Sequence, residues 1–385
     1  MQASHLVQLL VHGLLVACIP LSMVWMSSDP NKYRKLVWII AFLTFDLIVF
    51  GGFTRLTDSG LGCPDWPGCY GLANPFLAHE HIAAAEELMP TGPVTVAKAW
   101  IEMIHRYFAM AIGVLIMALT ITSWVQWRRT RAAAFHPLWP TVLLFWVCLQ
   151  GAFGAWTVTL KLQPVIVTLH LLLGMTLLAL VVWLGGRADH LLQPRPAAPA
   201  PSALRRLRPL AILSGAVLLV QLALGGWVST NYATLACNDF PLCNGQVIPE
   251  MDFEHGFTLW RELGKTAAGH YLPFSALTAI HWVHRNFAAV VVLVLGWTAW
   301  RAWKLPGLHG TARNLVLALA AQALTGIATV FLNFPLAIAV LHNAGAALLV
   351  LLVTVLNYKV QYQLDPARTS PPSPRRPAPA PASQP

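Results

Sequence analysis

The stretch Gly51-Gly-Phe-Thr-Arg-Leu-Thr-Asp-Ser-Gly-Leu-Gly-Cys-Pro-Asp-Trp-Pro-Gly-Cys69 closes an apolar run and opens into a polar segment bounded by two cysteines. Its frame returns 174 residues later. Gly51-Gly52 recurs as Gly225-Gly226, and Cys63-Pro-Asp-Trp-Pro-Gly-Cys69 as Cys237-Asn-Asp-Phe-Pro-Leu-Cys243. Further along, Ile104-His105-Arg106-Tyr107-Phe108-Ala109 recurs as Val283-His284-Arg285-Asn286-Phe287-Ala288, and Thr168-Leu169-His170 as Val340-Leu341-His342. Apolar helices look alike by chance because their alphabet is small. Cysteine, histidine and arginine at matched places are not drawn from that alphabet, so the chain reads as an internal duplication.

Composition says where the duplicated unit lives. Of 385 residues, 57% are hydrophobic and 10% charged, with a mean hydropathy of +0.60. A soluble chain of this length carries roughly 25% charged residues. The deficit excludes a soluble enzyme, a disordered protein and an ordinary nucleic-acid binder, so no nucleic-acid partner is expected. A bilayer span needs roughly 20 mostly apolar residues. Nine stretches qualify, at about 6–26, 36–54, 99–126, 137–159, 164–186, 208–229, 276–300, 312–332 and 335–357. The first has no basic n-region and no clear small-residue cleavage site, so it reads as a retained helix rather than a signal peptide.

The net charge of +10 is a topology signal. Connections 27–35, 127–136, 187–207 and 301–311, their flanks and the tail from Lys359 hold 18 of the 25 basic residues, which makes them cytoplasmic. The amino terminus is then outside and the carboxyl terminus in the cytoplasm, with loops 55–98 and 230–275 facing outward. The expected fold is an all-α polytopic membrane protein of two pseudo-symmetric four-helix bundles plus one extra N-terminal helix. Its divisions are 1–35 (extra helix and connection), 36–192 (first half), 193–207 (Pro/Ala-rich cytoplasmic linker), 208–358 (second half) and 359–385 (disordered tail).

Four of the fourteen histidines occupy matched places inside spans: His105, His170, His284 and His342. Each lies roughly six residues, or about 9 Å, from the outer end of its helix. Within each half, two helices contribute one histidine apiece, which suits a metal or heme iron gripped from both sides. Ionisable groups in spans are costly and usually functional. Heme is favoured over a small metal because Asp46 and Glu102 are the only intramembrane acids. A di-iron carboxylate bundle needs Glu-x-x-His on two helices, and only Glu102-Met-Ile-His105 fits. A respiratory cytochrome b would repeat its ligands along shared helices, whereas these are singletons.

Glu102 precedes His105 by three residues and so shares its helix face. Such a carboxylate can accept a proton or orient a water; the second half has His281 there instead. Arg106 and Arg285 directly follow a candidate ligand, where an arginine either pairs with heme propionates or snorkels to the lipid surface. Cys18 and Cys148 lie in spans and read as packing residues. The other four form two outward loops, where an oxidising compartment favours disulfides Cys63–Cys69 and Cys237–Cys243. A zinc site sharing four thiolates is the alternative, against the usual spacing of two to four residues. A redox role and a structural staple both stand.

These residues together resemble the heme A synthase family of bacterial and mitochondrial cytochrome oxidase assembly. The resemblance rests on Gly51 to Pro67, Glu102-x-x-His105-Arg106, the mid-chain His170 and the repeated Cys/His half, over about residues 36–358. It implies oxidation of heme O to heme A, the methyl at ring position 8 becoming formyl by successive hydroxylations. It further implies that His105 and His170 hold the substrate heme, that His284 and His342 ligate a heme b cofactor, that Glu102 is catalytic, and that Cys63 pairs with Cys69. The partners it implies are heme O, a heme O synthase (protoheme farnesyltransferase), an electron acceptor the sequence does not identify, membrane lipid and, in a homo-oligomer, further copies. Two features depart from the family pattern: the helix at 6–26 is additional, and His281 adjoins His284. The first 30 residues lack a transit peptide's arginine-rich amphipathic character, which points to a bacterial inner membrane with periplasmic cysteine loops. The competing functions are a diheme electron-transfer protein and a heme transporter or chaperone.

Overall fold

The computed structural model describes residues 2–192 and 202–363. Eleven α-helices follow one another among the described residues: α1 (Gln2–Trp25), α2 (Lys32–Leu56), α3 (His79–Leu88), α4 (Val96–Thr130), α5 (Leu138–Thr159), α6 (Pro164–Leu192), α7 (Ser202–Thr230), α8 (Phe253–Phe257), α9 (Phe274–Trp303), α10 (His309–Phe331) and α11 (Leu336–Gln363). All but the short α3 and α8 are long and apolar enough to cross a membrane, which makes nine spans among the described residues. The protein is an all-α, multi-pass membrane protein.

The packing repeats with the sequence. Helix α2 packs on α4 and α6 as α7 packs on α9 and α11, and α5 packs on α6 as α10 packs on α11. The two sets meet through α6 against α11, α2 against α11 and α6 against α7. Thr168 and Thr230 hydroxyls, 3.2 Å apart, tie that seam. One apolar core runs through both halves, including Leu115, Leu178, Leu207, Leu295, Leu315 and Leu356.

Several element ends differ from the sequence expectation. Helix α7 begins at Ser202, inside the stretch read as linker, because Leu204 and Leu207 are both 1% exposed and anchor that turn in the core. Residues 193–201 lie outside the described residues. The last helix likewise runs to Gln363, carried by buried Leu356 and Val360, so 359–363 are helix rather than tail; 364–385 lie outside the described residues. Helix α4 starts at Val96 because the Thr95 hydroxyl accepts the Lys98 N–H at 3.2 Å. Its 35 residues span roughly 50 Å at 1.5 Å each, enough to rise past the lipid into the loop region.

The additional helix α1 lies along α4. Leu9 is 4% exposed, the His12 ring stacks on Tyr107 at 4.9 Å, and a Cβ on Gly13 would fall 2.3 Å from Met110 Cγ. A glycine is what allows the two helices to approach so closely there.

Candidate functional site

Each half holds one histidine on each of two helices, and each imidazole lies against a glycine of a third or fourth helix. A Cβ built on Gly51 (α2) would stand 3.0 Å from His105 Cε1 (α4), and one on Gly154 (α5) 3.2 Å from His170 Cε1 (α6). In the second half Gly225 (α7) and Gly326 (α10) face His284 (α9) and His342 (α11) at 2.9 and 3.0 Å. The rings slot into notches where even a Cβ would be a tight contact. His105 is near enough to His170, and His284 to His342, to interact electrostatically.

Amides hold the rings and their backbones from neighbouring helices. Gln150 Nε2 donates to the His170 carbonyl at 3.0 Å. Gln221 Nε2 lies 3.2 Å from His284 Nδ1, Gln322 Nε2 3.3 Å from His342 Nε2, and Thr325 Oγ1 3.0 Å from His342 Nδ1. The Nδ1 atoms of His105 and His170 are buried without a protein partner. Buried polar atoms are costly unless satisfied, so these imidazoles suit a ligand such as heme iron. Phe50 lies 6.1 Å from the His105 ring, 25° from parallel, and extends that wall.

Glu102 is held from two sides. It is 4% exposed, and its Oε2 accepts the Cys63 N–H at 2.8 Å while Oε1 pairs with Arg106 Nη2. Arg106 spends its other amino group on the loop carbonyls of Asp65 (3.0 Å), Pro67 (3.3 Å) and Gly68 (2.7 Å). It therefore ties the Cys63–Cys69 loop to α4. The second half repeats the device with different chemistry, since His281 Nδ1 accepts the Cys237 N–H at 3.1 Å. That nitrogen is committed to the loop, whereas the neighbouring His284 lies against Gly225 with Gln221 at its Nδ1. Arg285 donates to the Leu242 carbonyl at 3.0 Å and keeps a buried Nη1 without a protein partner.

The cysteine loops are built alike. Cys63 is joined to Cys69 and Cys237 to Cys243, with Cα separations of 4.9 and 4.6 Å. In each loop an aspartate closes the turn beyond the second cysteine. Asp65 accepts the N–H groups of Tyr70 (2.7 Å) and Gly71 (2.6 Å), and Asp239 those of Asn244 (2.6 Å) and Gly245 (2.9 Å). Gly71 and Gly245 have φ of +68° and +78°, a turn conformation that favours glycine. Gly62 lets the first loop rest on α4, since a Cβ there would fall 2.4 Å from the Lys98 carbonyl. Close contact at that point brings the Cys63 N–H onto Glu102.

Sequence reasoning found the histidines, cysteines and Glu102 but not the supporting set. Gln150, Gly154 and Thr157 recur as Gln322, Gly326 and Thr329 at the same 172-residue offset that relates His170 to His342. That shared offset was the available signal.

The model of the cytochrome oxidase assembly protein family (COX15-CtaA) matches residues 34–354. The chain is 38% identical to heme A synthase of Shewanella oneidensis over 84% of this chain and 96% of that protein. It is 31% identical to heme A synthase of Sphingopyxis alaskensis (84% and 90%), and 30% identical to that of Caulobacter sp. strain K31 (88% and 98%).

Proposed function

The chain belongs to the cytochrome oxidase assembly protein family, and on that premise we propose that it oxidises heme O to heme A. The observation that carries this reading is the duplicated pair of imidazoles, each pressed against a glycine, two of them with buried orphan nitrogens. In the proposed division of labour, His105 and His170 hold heme O in the half formed by residues 36–192. His284 and His342 hold a heme b cofactor in the half formed by 208–358. Bound heme b would supply one-electron redox chemistry beside the substrate site.

The methyl at ring position 8 is oxidised in two steps, with water as the oxygen source and an external electron acceptor as the oxidant. In each step a C–H bond gives way to C–OH while two protons and two electrons leave, first to hydroxymethyl and then to a geminal diol, which sheds water without further oxidation to leave the formyl group. Glu102 serves as proton acceptor or water-orienting group. Support comes from its place one turn before His105 and from its replacement by His281 in the half that needs no such chemistry. Arg106 and the Cys63 N–H fix that carboxylate, so the Cys63–Cys69 loop becomes part of the substrate site's roof. Arg285, with its unpartnered Nη1, is the better candidate of the two arginines for a heme propionate. The distribution of lysine and arginine supports an inner-membrane topology with the cysteine loops in the periplasm. Heme O would arrive from a heme O synthase.

The test is expression of the chain in cells that make heme O but no heme A, followed by mass spectrometry of the extracted porphyrins. Hydroxymethyl and formyl hemes are expected. Unchanged heme O beside protoheme would favour a heme carrier or a diheme electron-transfer protein.

A further inference from the structure

One intramembrane acid has no role in the chemistry above. Asp46 lies ten residues before the outer end of α2, about 15 Å deep at 1.5 Å per residue. It is exposed on the surface of α2 and makes no hydrogen bond or ion pair among the described residues. An ionisable side chain at that depth is costly and marks a functional position. Asp46 lines an open cleft of about 380 Å³ on the surface between α2 and α11, together with Phe45, Val49, Phe50, Phe53, Val340 and Ala344. Phe50 connects this cleft to the candidate substrate site, since its ring lies against that of His105. Val340 and Ala344 flank His342 on the opposite wall. The cleft is thus apolar and aromatic with a single carboxyl group, and it adjoins the first histidine pair.

The second half provides the comparison. At the 174-residue offset, Phe45, Asp46, Phe50 and Phe53 become Leu219, Val220, Leu224 and Trp227. The carboxyl is gone, and Trp227 is 5% exposed with its ring N–H given to the Gly256 carbonyl at 2.9 Å. At the 172-residue offset, Ala344 of α11 corresponds to the larger Leu172 of α6. Both seams are close-packed at the paired glycines, where a Cβ on Gly226 would meet Leu171 at 3.0 Å and one on Gly52 would meet Asn343 at 3.3 Å, so the difference lies in the side chains further along α2 and α7. The halves therefore differ at these positions in aromatic lining and in one carboxyl. Heme O and heme b differ in the corresponding way: heme O carries a long isoprenoid chain with a hydroxyl at its ring-proximal carbon, and heme b carries a vinyl group there.

We infer that the α2–α11 cleft is the seat of the isoprenoid substituent of heme O, with the Asp46 carboxyl as hydrogen-bond partner of its hydroxyl. The inference rests on the reading that His105 and His170 hold heme O. It makes the cleft the element by which the first half selects heme O over protoheme.

The test uses the full chain in lipid nanodiscs with its second site loaded, titrated separately with heme O and with protoheme, the Soret band reporting binding. Asp46→Leu removes the acceptor, and Ala344→Phe fills the cleft from the other wall. Each should weaken heme O binding at least tenfold while protoheme binding stays within about twofold. Asp46→Asn, which keeps an acceptor oxygen, should retain most of the preference. An unchanged preference in both Asp46→Leu and Ala344→Phe overturns the inference and leaves the cleft to lipid chains. Parallel loss of both hemes in these two variants overturns it as well. His105→Ala separates this from the underlying reading. If it binds heme O like the parent, the substrate site is misassigned. If it loses both hemes while Asp46→Leu keeps its preference, only the cleft assignment fails.

Discussion

Replacing Gly225 by alanine should damage the second histidine pair without touching either histidine. The new Cβ would stand 2.9 Å from His284 Cε1, 3.5 Å from Nδ1 and 3.7 Å from Nε2. Carbon atoms pack best at about 3.5–4.0 Å, so the ring must retreat by roughly 0.6–1.1 Å. It cannot retreat freely, because Gln221 Nε2 lies 3.2 Å from its Nδ1 and 3.3 Å from its backbone carbonyl. Overpacking of this size costs about 1–3 kcal/mol, which at 1.4 kcal/mol per decade weakens heme binding by about 5- to 140-fold. Gly296→Ala, on α9 with His284, is the control, with nothing within 4 Å of its Cβ and about 1 kcal/mol of helix propensity to gain. The assay is heme per polypeptide after purification, followed by the rate of heme transfer to excess apomyoglobin. A Gly225→Ala protein that holds its heme as firmly as Gly296→Ala would refute the notch reading of His284.

Three further outcomes are expected. Glu102→Gln should lower heme A formation by about 10²–10⁴-fold with heme O accumulating, the usual contribution of a general base; a normal heme A yield would withdraw the catalytic role and leave Glu102 as the loop's anchor. Peptide mapping without reduction, after alkylation during isolation, should recover Cys63–Cys69 and Cys237–Cys243 as linked fragments. Free thiols or stoichiometric zinc would contradict it. Gly154→Ala should weaken the first histidine pair less than Gly225→Ala weakens the second, since its Cβ clears His170 by 3.2 Å; the comparison is heme O affinity by titration against heme b retention.

The duplication and the four histidines were readable because cysteine, histidine and arginine stand out in an apolar background, and because both offsets repeat. Polar helix ends were not readable by hydropathy. Residues Ser202 to Arg208 carry three arginines, yet Leu204 and Leu207 are spaced to bury one face and draw the turn into the helix. The short helix α3 was missed for a related reason, since a single deeply buried residue, Ile82, seats it against the cysteine loop. Glu102 shows the limit of spacing arguments. Three residues fix its face on α4, but its partners are the Cys63 N–H, 39 residues away in sequence, and Arg106, one turn on. Asp65 and Asp239 sat in plain view inside both cysteine motifs, and only the fold reveals that each closes a turn with two N–H groups.

The assignment of different hemes to the two halves is tested most directly by identifying the porphyrins that remain bound to purified His170→Ala and His342→Ala proteins from cells making heme O. His170→Ala should keep protoheme near one per chain and contain no heme O, hydroxymethyl heme or heme A. His342→Ala should lose protoheme and still bind heme O. The reverse pattern, or equal loss of both hemes from each variant, would contradict the division of labour between the halves.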